Sequence, residues 1–277
     1  MSQKSVAAIP DISGFGRCSL TVALPIISAM GVKTSVIPTA VLSTHTGGFI
    51  GNTYHDLTAD IEPMALHWKK QGITFDAIYT GYLCSASQVY SVISAIEHIR
   101  QKNTLLIVDP VMGDNGKAYQ GFDNSFPDFM LNLCKKADII TPNITEACLL
   151  SKTDFKSDYD EKYITDLLHR LHNQTGAKVV LTGVSFDSKK IGAAIFDGDE
   201  ISYVFAEKQP HAFHSTGDIF ASVLTAAILK GRSLKASAQI AVSFISLCIK
   251  KTIEDGTDPR FGVNFETEIP KLIKFIE

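Results

Sequence analysis

The chain has 277 residues, 45% of them hydrophobic, which is enough to bury a large core in a single domain. A formal net charge of −3, with no basic run longer than a pair, argues against duplex nucleic acid or an acidic membrane surface as a partner. Five cysteines without a C-x-x-C pair fit a reducing compartment and not a disulfide framework. No apolar run approaches the roughly 18 residues of a membrane span. We therefore expect one cytoplasmic domain over residues 1–277.

Short apolar runs alternate with helical patterns along the chain, which is typical of repeated βαβ units and a mainly parallel sheet. The predicted strands are 6–9, 36–37, 77–79, 105–108, 139–140 and 178–181, followed by a hairpin of 193–196 and 201–205. The predicted helices are 20–30, 87–100, 129–136, 162–173, 217–230 and 234–252. Ser19 is expected to cap the first helix and Ser233 the last, which we expect to be buried. The polar, glycine-rich segment 42–49 is predicted to be a loop.

Polar residues follow five of the predicted strands. They are Pro10 and Asp11, Thr80 to Tyr82, Asp109 to Asp114, Thr141 to Glu146, and Thr182 with Gly183. Ligands of open α/β sheets bind at the carboxyl ends of the strands. Each of these residues alone is ordinary turn chemistry. Five sets at one sheet edge favour a site that handles phosphate.

The segment His-Ser-Thr-Gly-Asp at 214–218 leads directly into an apolar helical run. A helix start has unpaired backbone N–H groups, which attract phosphate. Asp218, in the first turn, is placed to accept a proton from a group that attacks a bound phosphoryl group. Taken alone, the segment is more simply a capped helix with a favourably placed acid. The polar residues at the five strand ends shift the balance towards an anion site.

Competing motifs are weaker. The glycine-rich segment 14–19 lacks the third glycine of a dinucleotide-binding turn, and no P-loop sequence is present. His211 and His214 have no obvious third metal ligand, and no G-x-S-x-G motif indicates a serine hydrolase.

Three motifs together resemble those of the ribokinase-like superfamily of small-molecule kinases: Ser-Thr-Gly-Asp at 215–218, Thr-Pro-Asn-x-x-Glu at 141–146, and Asp-Pro-Val-Met-Gly-Asp at 109–114. Ser-Thr-His-Thr-Gly-Gly at 43–48 and Thr-Gly-Tyr at 80–82 are similar to motifs of the pyridoxal kinases. The resemblance extends from Ile9 to about Thr252. It implies an α/β fold of three layers, with helices on both faces of the sheet. It also implies transfer of the ATP γ-phosphoryl group to the 5′-hydroxymethyl of pyridoxal, pyridoxine or pyridoxamine, as in vitamin B6 salvage.

The resemblance also implies roles for particular residues. Asp218 would be the catalytic base, with the N–H groups of Thr216, Gly217 and Asp218 holding the transferred phosphoryl group. The residues implied on the nucleotide side are Asp109, Asn143, Glu146, Thr182, Gly183 and Ser215, with Asp109 and Glu146 organising Mg²⁺, in part through water. The residues implied around the pyridine ring are Asp11, Thr46, Tyr82 and Tyr119. ATP and Mg²⁺ are the implied cofactors, a requirement for a monovalent cation such as K⁺ stays open, and the implied assembly is a homodimer.

Two departures from the pyridoxal kinase pattern keep alternatives open. Pro10 and Asp11 are closer to the hydroxymethylpyrimidine kinases, so an enzyme of that type or of dual specificity is the main alternative. Ser215 stands where the family usually has glycine, and a non-catalytic protein that binds a nucleotide or vitamer is a further alternative. Since a helix N-terminus stabilises a carboxylate, the pKa of Asp218 is expected to be lowered.

Overall fold

The computed structural model describes residues 3–211 and 213–276. Its strands are β1 (Ser5–Ile9), β2 (Ile12–Phe15), β3 (Lys33–Val36), β4 (Ala40–Thr44), β5 (Tyr54–Asp56), β6 (Ala77–Thr80), β7 (Leu105–Val108), β8 (Gly113–Asp114), β9 (Lys117–Ala118), β10 (Ile139–Ile140), β11 (Lys178–Val184), β12 (Lys190–Phe196) and β13 (Ile201–Glu207). Its α-helices are α1 (Leu20–Ala29), α2 (Thr58–Lys70), α3 (Ala86–Ile99), α4 (Phe126–Cys134), α5 (Ile144–Ser151), α6 (Glu161–Thr175), α7 (Thr216–Leu229), α8 (Leu234–Glu254) and α9 (Ile269–Ile276).

The main sheet has eight strands in the order β13-β12-β11-β10-β7-β6-β1-β3. The strands from β11 to β3 pair in parallel, whereas β12 and β13 form an antiparallel hairpin at one edge. A small second sheet has the strand order β2-β4-β5, and its first strand follows β1 directly in the chain. The predicted hairpin is confirmed, and the other predicted strands are present except that the segment predicted to begin at 36–37 is wrong in its bounds, because β3 ends at Val36.

The core is divided into two parts by the main sheet. Along β1, Ala7 and Ile9 pack on one side, and Val6 and Ala8 pack on the other. Helices α2 to α6 cover the first side, and α1, α7, α8 and α9 cover the second. Because both faces are covered, the strands are apolar runs without strict alternation. The three-layer α/β fold is confirmed.

The segment 42–49 is not entirely a loop, so this expectation is wrong in part. Residues up to Thr44 belong to β4, which pairs with β2 in parallel and with β5 in antiparallel. Ala40 and Leu42 are buried while Val41 and Ser43 are exposed, and this alternation is typical of a strand with one face exposed to solvent. Helix α2, which contains Pro63, was not predicted.

Helix α8 is only partly buried, contrary to expectation. Phe244 and Cys248 are buried, but Ile240, Ile245 and Ile249 are only partly buried against the core. Its length and mean hydropathy would suit a membrane span, yet it packs on α7 and β13, and a core helix meets the same criteria. Ser233 caps α8 as predicted, since its side chain accepts a hydrogen bond from the Ala236 N–H.

Candidate active site

The carboxyl ends of β1, β6, β7, β10 and β11 lie side by side in the main sheet, so the predicted polar residues do share one edge. One detail differs from the expectation. Thr182 and Gly183 lie within β11 and not after it, because β11 continues to Val184. There, the Thr182 N–H donates to the carbonyl of Pro142 at 2.8 Å, which joins β11 to the segment that begins α5.

The start of α7 has open hydrogen-bonding capacity. Ser215 is the N-cap residue, in a left-handed conformation with φ 70°, and its side chain makes no capping bond. The first N–H with a partner inside the helix is that of Ile219, which donates to the Ser215 carbonyl at 3.1 Å. The N–H groups of Thr216, Gly217 and Asp218 therefore have no partner in the helix, which is the arrangement that suits an anion, and anion binding there stays a prediction.

Gly217 faces the acidic residues of the sheet edge. A Cβ built on Gly217 would lie 3.7 Å from Oδ2 of Asp109. The carboxylate that follows β7 and the open end of α7 therefore border the same space. An anion held at that helix end would be close to Asp109, which requires a cation between them or protonation of the carboxylate.

Asp218 is buried, with 8% of its surface exposed. Its Oδ2 accepts a hydrogen bond from the backbone N–H of Ser19 at 2.9 Å and lies 3.6 Å from Sγ of Cys18. Burial raises the pKa of Asp218 to about 6, with a smaller contribution from the charge of Asp11, although the Ser19 hydrogen bond lowers it. The expected lowering of this pKa is therefore wrong, because desolvation outweighs the helix end. A carboxylate with this pKa is a better base at neutral pH than an exposed one.

Asp11 is also buried, with 4% exposed. Its Oδ1 accepts a hydrogen bond from the Ser19 hydroxyl at 2.5 Å, and its Oδ2 accepts one from the Ser13 hydroxyl at 3.3 Å. Burial raises its pKa above the ordinary value. The expectation that the Ser19 side chain caps α1 is wrong, because the hydroxyl is used by Asp11.

Ser19 has an unusual backbone. Its φ of 53° and ψ of −122° place it at the second position of a type II′ turn, closed by the Thr21 N–H donating to the Cys18 carbonyl at 3.2 Å. Glycine is the usual residue at such a position, and a side chain there costs about 1–3 kcal/mol. The turn is therefore held by its surroundings and not by local preference.

Asp109 and Glu146 are a pair of buried acids. Burial and the neighbouring charges of Glu146 and Asp218 raise the pKa of Asp109 well above its ordinary range. Burial raises the pKa of Glu146 to about 8, while backbone N–H groups that include those of Asn143 and Met112 oppose the rise. Buried like charges of this kind favour a cation or a proton nearby.

Glu146 has a second, structural role at the start of α5. Its Oε2 accepts the Asn143 N–H at 2.8 Å, its own N–H donates to Oδ1 of Asn143 at 2.9 Å, and its Oε1 accepts the Met112 N–H at 3.1 Å. This reciprocal pair is a complete capping box.

The acidic residues fit Mg²⁺ held together with phosphates. Among the residues that the structure describes, no group of three or more His, Cys, Asp or Glu side chains is arranged to hold a metal ion alone. Mg²⁺ is commonly bound by one or two carboxylates, waters and substrate phosphates. Asp109 suits a direct or water-mediated contact, and Glu146, whose two oxygens already accept N–H groups, suits contact through water. The Mg²⁺ assignment stays a prediction.

A groove of about 460 Å³ lies beside the nucleotide-side residues Asn143, Thr182 and Gly183. Its other lining residues include Phe155, Lys156, Tyr159, Phe186 and Lys208. Aromatic rings and two lysines suit an aromatic base and an anionic group. Three of the six residues predicted on the nucleotide side are therefore brought to one groove.

The residues predicted around the pyridine ring have different environments. Tyr82 is half-buried, its ring centroid is 5.8 Å from that of Phe122, and burial, followed by the charges of Cys84 and Asp11, raises its pKa to about 12. Thr46 is exposed. Tyr119 is 42% exposed and hydrogen-bonds through its N–H to the Met112 carbonyl at 2.9 Å. Their contacts with a ring stay predictions.

A turn carrying Thr46 is pressed against the residues before α7. A Cβ on Gly47 would lie 2.6 Å from Cε1 of His214, so a side chain at position 47 would have to displace the His214 ring. The same turn is held from the far part of the chain, because Nε2 of His45 is 2.7 Å from the carbonyl oxygen of Arg260. A second contact with the same far segment is made by Arg17, whose N–H donates to the carbonyl of Phe261 at 3.0 Å.

Sequence reasoning missed Tyr79, which was read only as a strand residue. Its side chain is fully buried, and its hydroxyl has no hydrogen-bond partner among the described residues. Burial raises its pKa, followed by the charges of Asp218 and Asp109. Tyr79 therefore lies among the acids of the site. Nothing in its sequence neighbourhood distinguishes it from an ordinary core tyrosine.

Comparison with known proteins agrees with this geometry. The family model described as phosphomethylpyrimidine kinase matches residues 23–260. The crystal structure of pyridoxal kinase from Lactobacillus plantarum is similar, with 31% identity and a TM-score of 0.91 over 99% of this chain and 98% of that one. A candidate phosphomethylpyrimidine kinase from Bacteroides thetaiotaomicron, in an orthorhombic form with pyridoxal, has 37% identity and a TM-score of 0.92 over 98% of this chain and 96% of that one. The hydroxymethylpyrimidine/phosphomethylpyrimidine kinase of Bacillus subtilis is 28% identical over 79% of each chain.

The fold and the site together define a ribokinase-like small-molecule kinase. More particularly, the chain belongs to the phosphomethylpyrimidine kinase family, and the relationship to pyridoxal kinases predicted from its motifs is confirmed.

Proposed function

We propose that the protein transfers the γ-phosphoryl group of ATP to the 5′-hydroxymethyl of pyridoxal, pyridoxine or pyridoxamine. The observation that carries this proposal is the uncapped start of α7, where a buried Asp218 with a pKa of about 6 adjoins three N–H groups that have no partner among the described residues. These are the two parts that phosphoryl transfer to an alcohol needs: donors for the transferred group and an acceptor for the proton.

The residues act mainly by position. The N–H groups of Thr216, Gly217 and Asp218 hold the oxygens of the transferred group in line with the attacking hydroxyl. Oδ2 of Asp218 is fixed on the Ser19 N–H, so Oδ1 is the oxygen that accepts the hydroxyl proton. Phosphoryl transfer passes through a loose transition state, so the proton moves late and the carboxylate first orients the hydroxyl.

The groove beside Asn143, Thr182 and Gly183 holds the nucleotide in this proposal. Mg²⁺ neutralises phosphate charge when it is bound. Asp109 and Glu146 orient it, and the raised pKa values of both acids fall when a cation is present. A monovalent cation such as K⁺, a homodimeric assembly and a cytoplasmic location complete the proposal. Activity with and without K⁺, and light scattering of the purified protein, test the first two.

The test is a parallel assay of pyridoxal, pyridoxine, pyridoxamine and hydroxymethylpyrimidine with ATP and Mg²⁺. We expect phosphorylation of at least one B6 vitamer, and pyridoxal 5′-phosphate is distinguished from pyridoxal by its absorbance. Omission of Mg²⁺ is the control for the metal. Phosphorylation of hydroxymethylpyrimidine alone would contradict the proposal.

A hydroxymethylpyrimidine kinase, or an enzyme that accepts both substrate types, is the second candidate. It is favoured by Asp11 after β1 and by the Bacillus subtilis relative. The same assay separates the two candidates through the ratio of kcat/KM values. A protein that only binds nucleotide or vitamer would give calorimetric binding without product, and the proton acceptor at Asp218 argues against it.

A further inference from the structure

The turn before α1 connects two carboxylates of the site through one residue. Ser19 is 3% exposed; its hydroxyl donates to Asp11, and its backbone N–H donates to Asp218 at 2.9 Å. Asp11 and Asp218 come from opposite parts of the chain, one after β1 and the other in α7. Ser19 therefore links the end of a central strand to the proposed base.

The link depends on a backbone conformation that a serine does not prefer. With φ 53° and ψ −122°, the Ser19 N–H is directed at Oδ2 of Asp218. A non-glycine residue stays in such a conformation only where its surroundings impose it. The Ser19 hydroxyl supplies one such restraint, a charge-assisted bond to the Asp11 carboxylate, beside the Leu20 N–H that donates to the Asp11 carbonyl at 3.0 Å.

Asp11 faces this turn and not open space. Its two carboxylate oxygens accept hydroxyl hydrogens from Ser19 and Ser13, and only 4% of the residue is exposed. Such a carboxylate has little surface with which to contact a substrate ring. Its geometry suits a group that holds other protein atoms in place.

We propose that Asp11 and Ser19 are positioning residues for Asp218. Asp11 fixes the Ser19 hydroxyl, the hydroxyl fixes the turn, and the turn directs the N–H that anchors Oδ2 of Asp218. Among the described residues, no hydrogen bond reaches Oδ1 of Asp218, so the anchored carboxylate keeps that oxygen free for the substrate hydroxyl. This inference rests on the proposed function and replaces ring binding as the role of Asp11.

The kinetic test compares variants of the two residues with a matched control. Ser19→Ala and Asp11→Ala are expected to lower kcat by about 10²-fold, the size of effect that a displaced reacting group produces. The KM for the vitamer is expected to stay within about threefold, because ground-state binding is not altered. Ser13→Ala removes the other hydroxyl from Asp11 without touching the link, and its kcat is expected to stay within about twofold of wild type.

Two conservative variants separate positioning from other roles. Asp11→Asn keeps an oxygen that accepts the Ser19 hydroxyl, so it is expected to restore most of the kcat lost in Asp11→Ala. Ser19→Gly loses the hydroxyl but adopts the turn without strain, so the N–H stays in place and kcat is expected to lie well above that of Ser19→Ala. A large rise in KM with unchanged kcat in Asp11→Asn would establish ring contact and overturn the proposal. Wild-type kcat in Ser19→Ala would do the same, and if that variant fails to fold, wild-type kcat in Asp11→Ala would.

Crystal structures of the Asp11→Ala and Ser19→Ala variants provide a test that does not need turnover. The distance between the amide nitrogen at position 19 and Oδ2 of Asp218 is expected to exceed hydrogen-bonding range in both. An unchanged contact in both would overturn the link, whichever substrate the enzyme uses. If the wild-type protein phosphorylates none of the four compounds, the proposed function fails, and these structures still decide the inference.

Discussion

Two helices begin at the same edge of the main sheet, and their N-termini are satisfied in opposite ways. At α5, Asn143 and Glu146 form a complete capping box. At α7, Ser215 makes no side-chain cap, and Oδ2 of Asp218 accepts an N–H from Ser19, 199 residues away, and not from its own helix. One helix end is closed by its own side chains and the other stays open to a ligand.

The difference teaches that a capping sequence does not show whether the cap is made. Asn143 and Glu146 are three residues apart, as are Ser215 and Asp218, and both pairs would pass as capping boxes in one-letter code. The left-handed backbone at Ser215 prevents the second cap. An uncapped helix end in a buried site is costly, so it indicates a function.

The largest effect is expected from Asp218→Asn, which removes the acid of the open helix end. The amide cannot accept the proton, so kcat is expected to fall by about 10²–10⁴-fold. The variant is expected to fold, because a buried charge with an unfavourable pKa is removed, and circular dichroism with ADP calorimetry checks this. Turnover close to that of the wild type would exclude Asp218 as the base.

Acidic pH provides a reversible version of that change. Since the pKa of Asp218 is about 6, kcat/KM for the vitamer is expected to fall as the pH drops through 6. Stability should change in the opposite direction. A carboxyl whose pKa is raised on folding binds more protons in the folded state, so stability is lost as the pH rises from 3.8 to about 6.

This shift corresponds to about 3 kcal/mol for a fully buried group. About 1.3 kcal/mol of it is lost between pH 5 and pH 7, which urea unfolding at these two pH values measures, with Asp218→Asn as the control that lacks the loss. The same pH dependence of unfolding in the control and the wild type would assign it to other groups.

Cap removal at the two helices is expected to have unequal effects. Asn143→Ala loses the bond to the Glu146 N–H and the bond from Nδ2 to the Gly113 carbonyl at 2.8 Å, so the free energy of unfolding should fall by about 1–2 kcal/mol. Ser215→Ala loses no side-chain hydrogen bond, and a change within about 0.5 kcal/mol is expected. Equal losses in urea unfolding would mean that the comparison between the helices is wrong.

A small effect is also expected from Ser215→Gly. Glycine removes the cost of φ 70° and a buried hydroxyl without a partner, but it also gains freedom in the unfolded chain. The free energy of unfolding is expected to rise by less than about 1 kcal/mol, with kcat unchanged. A clear loss of kcat would show that the serine hydroxyl acts in the site.

The sheet was predictable because buried parallel strands have short, continuous apolar sequences, such as Leu105–Val108. Elements with one solvent-exposed face were less predictable. Strand β4 alternates apolar and polar residues beside glycines, and helix α2 contains Pro63, so one was read partly as a loop and the other was not found. Burial alone did not decide which elements were found, because α5 is buried and was not predicted either.

The proximity of the candidate residues was predictable from the sequence, but their arrangement was not. Motifs after the strands predicted that Asp109 and Asn143 share one sheet edge, and the motif at the start of a helix singled out Asp218, while their roles stay predictions. The direction of the Asp218 pKa depended on burial, which local sequence does not show. The role of Ser19 depended on a contact with Asp11 and another 199 residues away, and no pattern within the turn predicts either.

The contacts that His45 and Arg17 make with Arg260 and Phe261 have a consequence for synthesis of the protein. These pairs are separated by 215 and 244 residues, respectively. Translation proceeds from the N-terminus, so the turns that carry Arg17 and His45 cannot make these contacts until residues 260 and 261 have been synthesised. A nascent chain stalled before them would contain Asp218 and every described strand of the main sheet, but it would lack these two contacts.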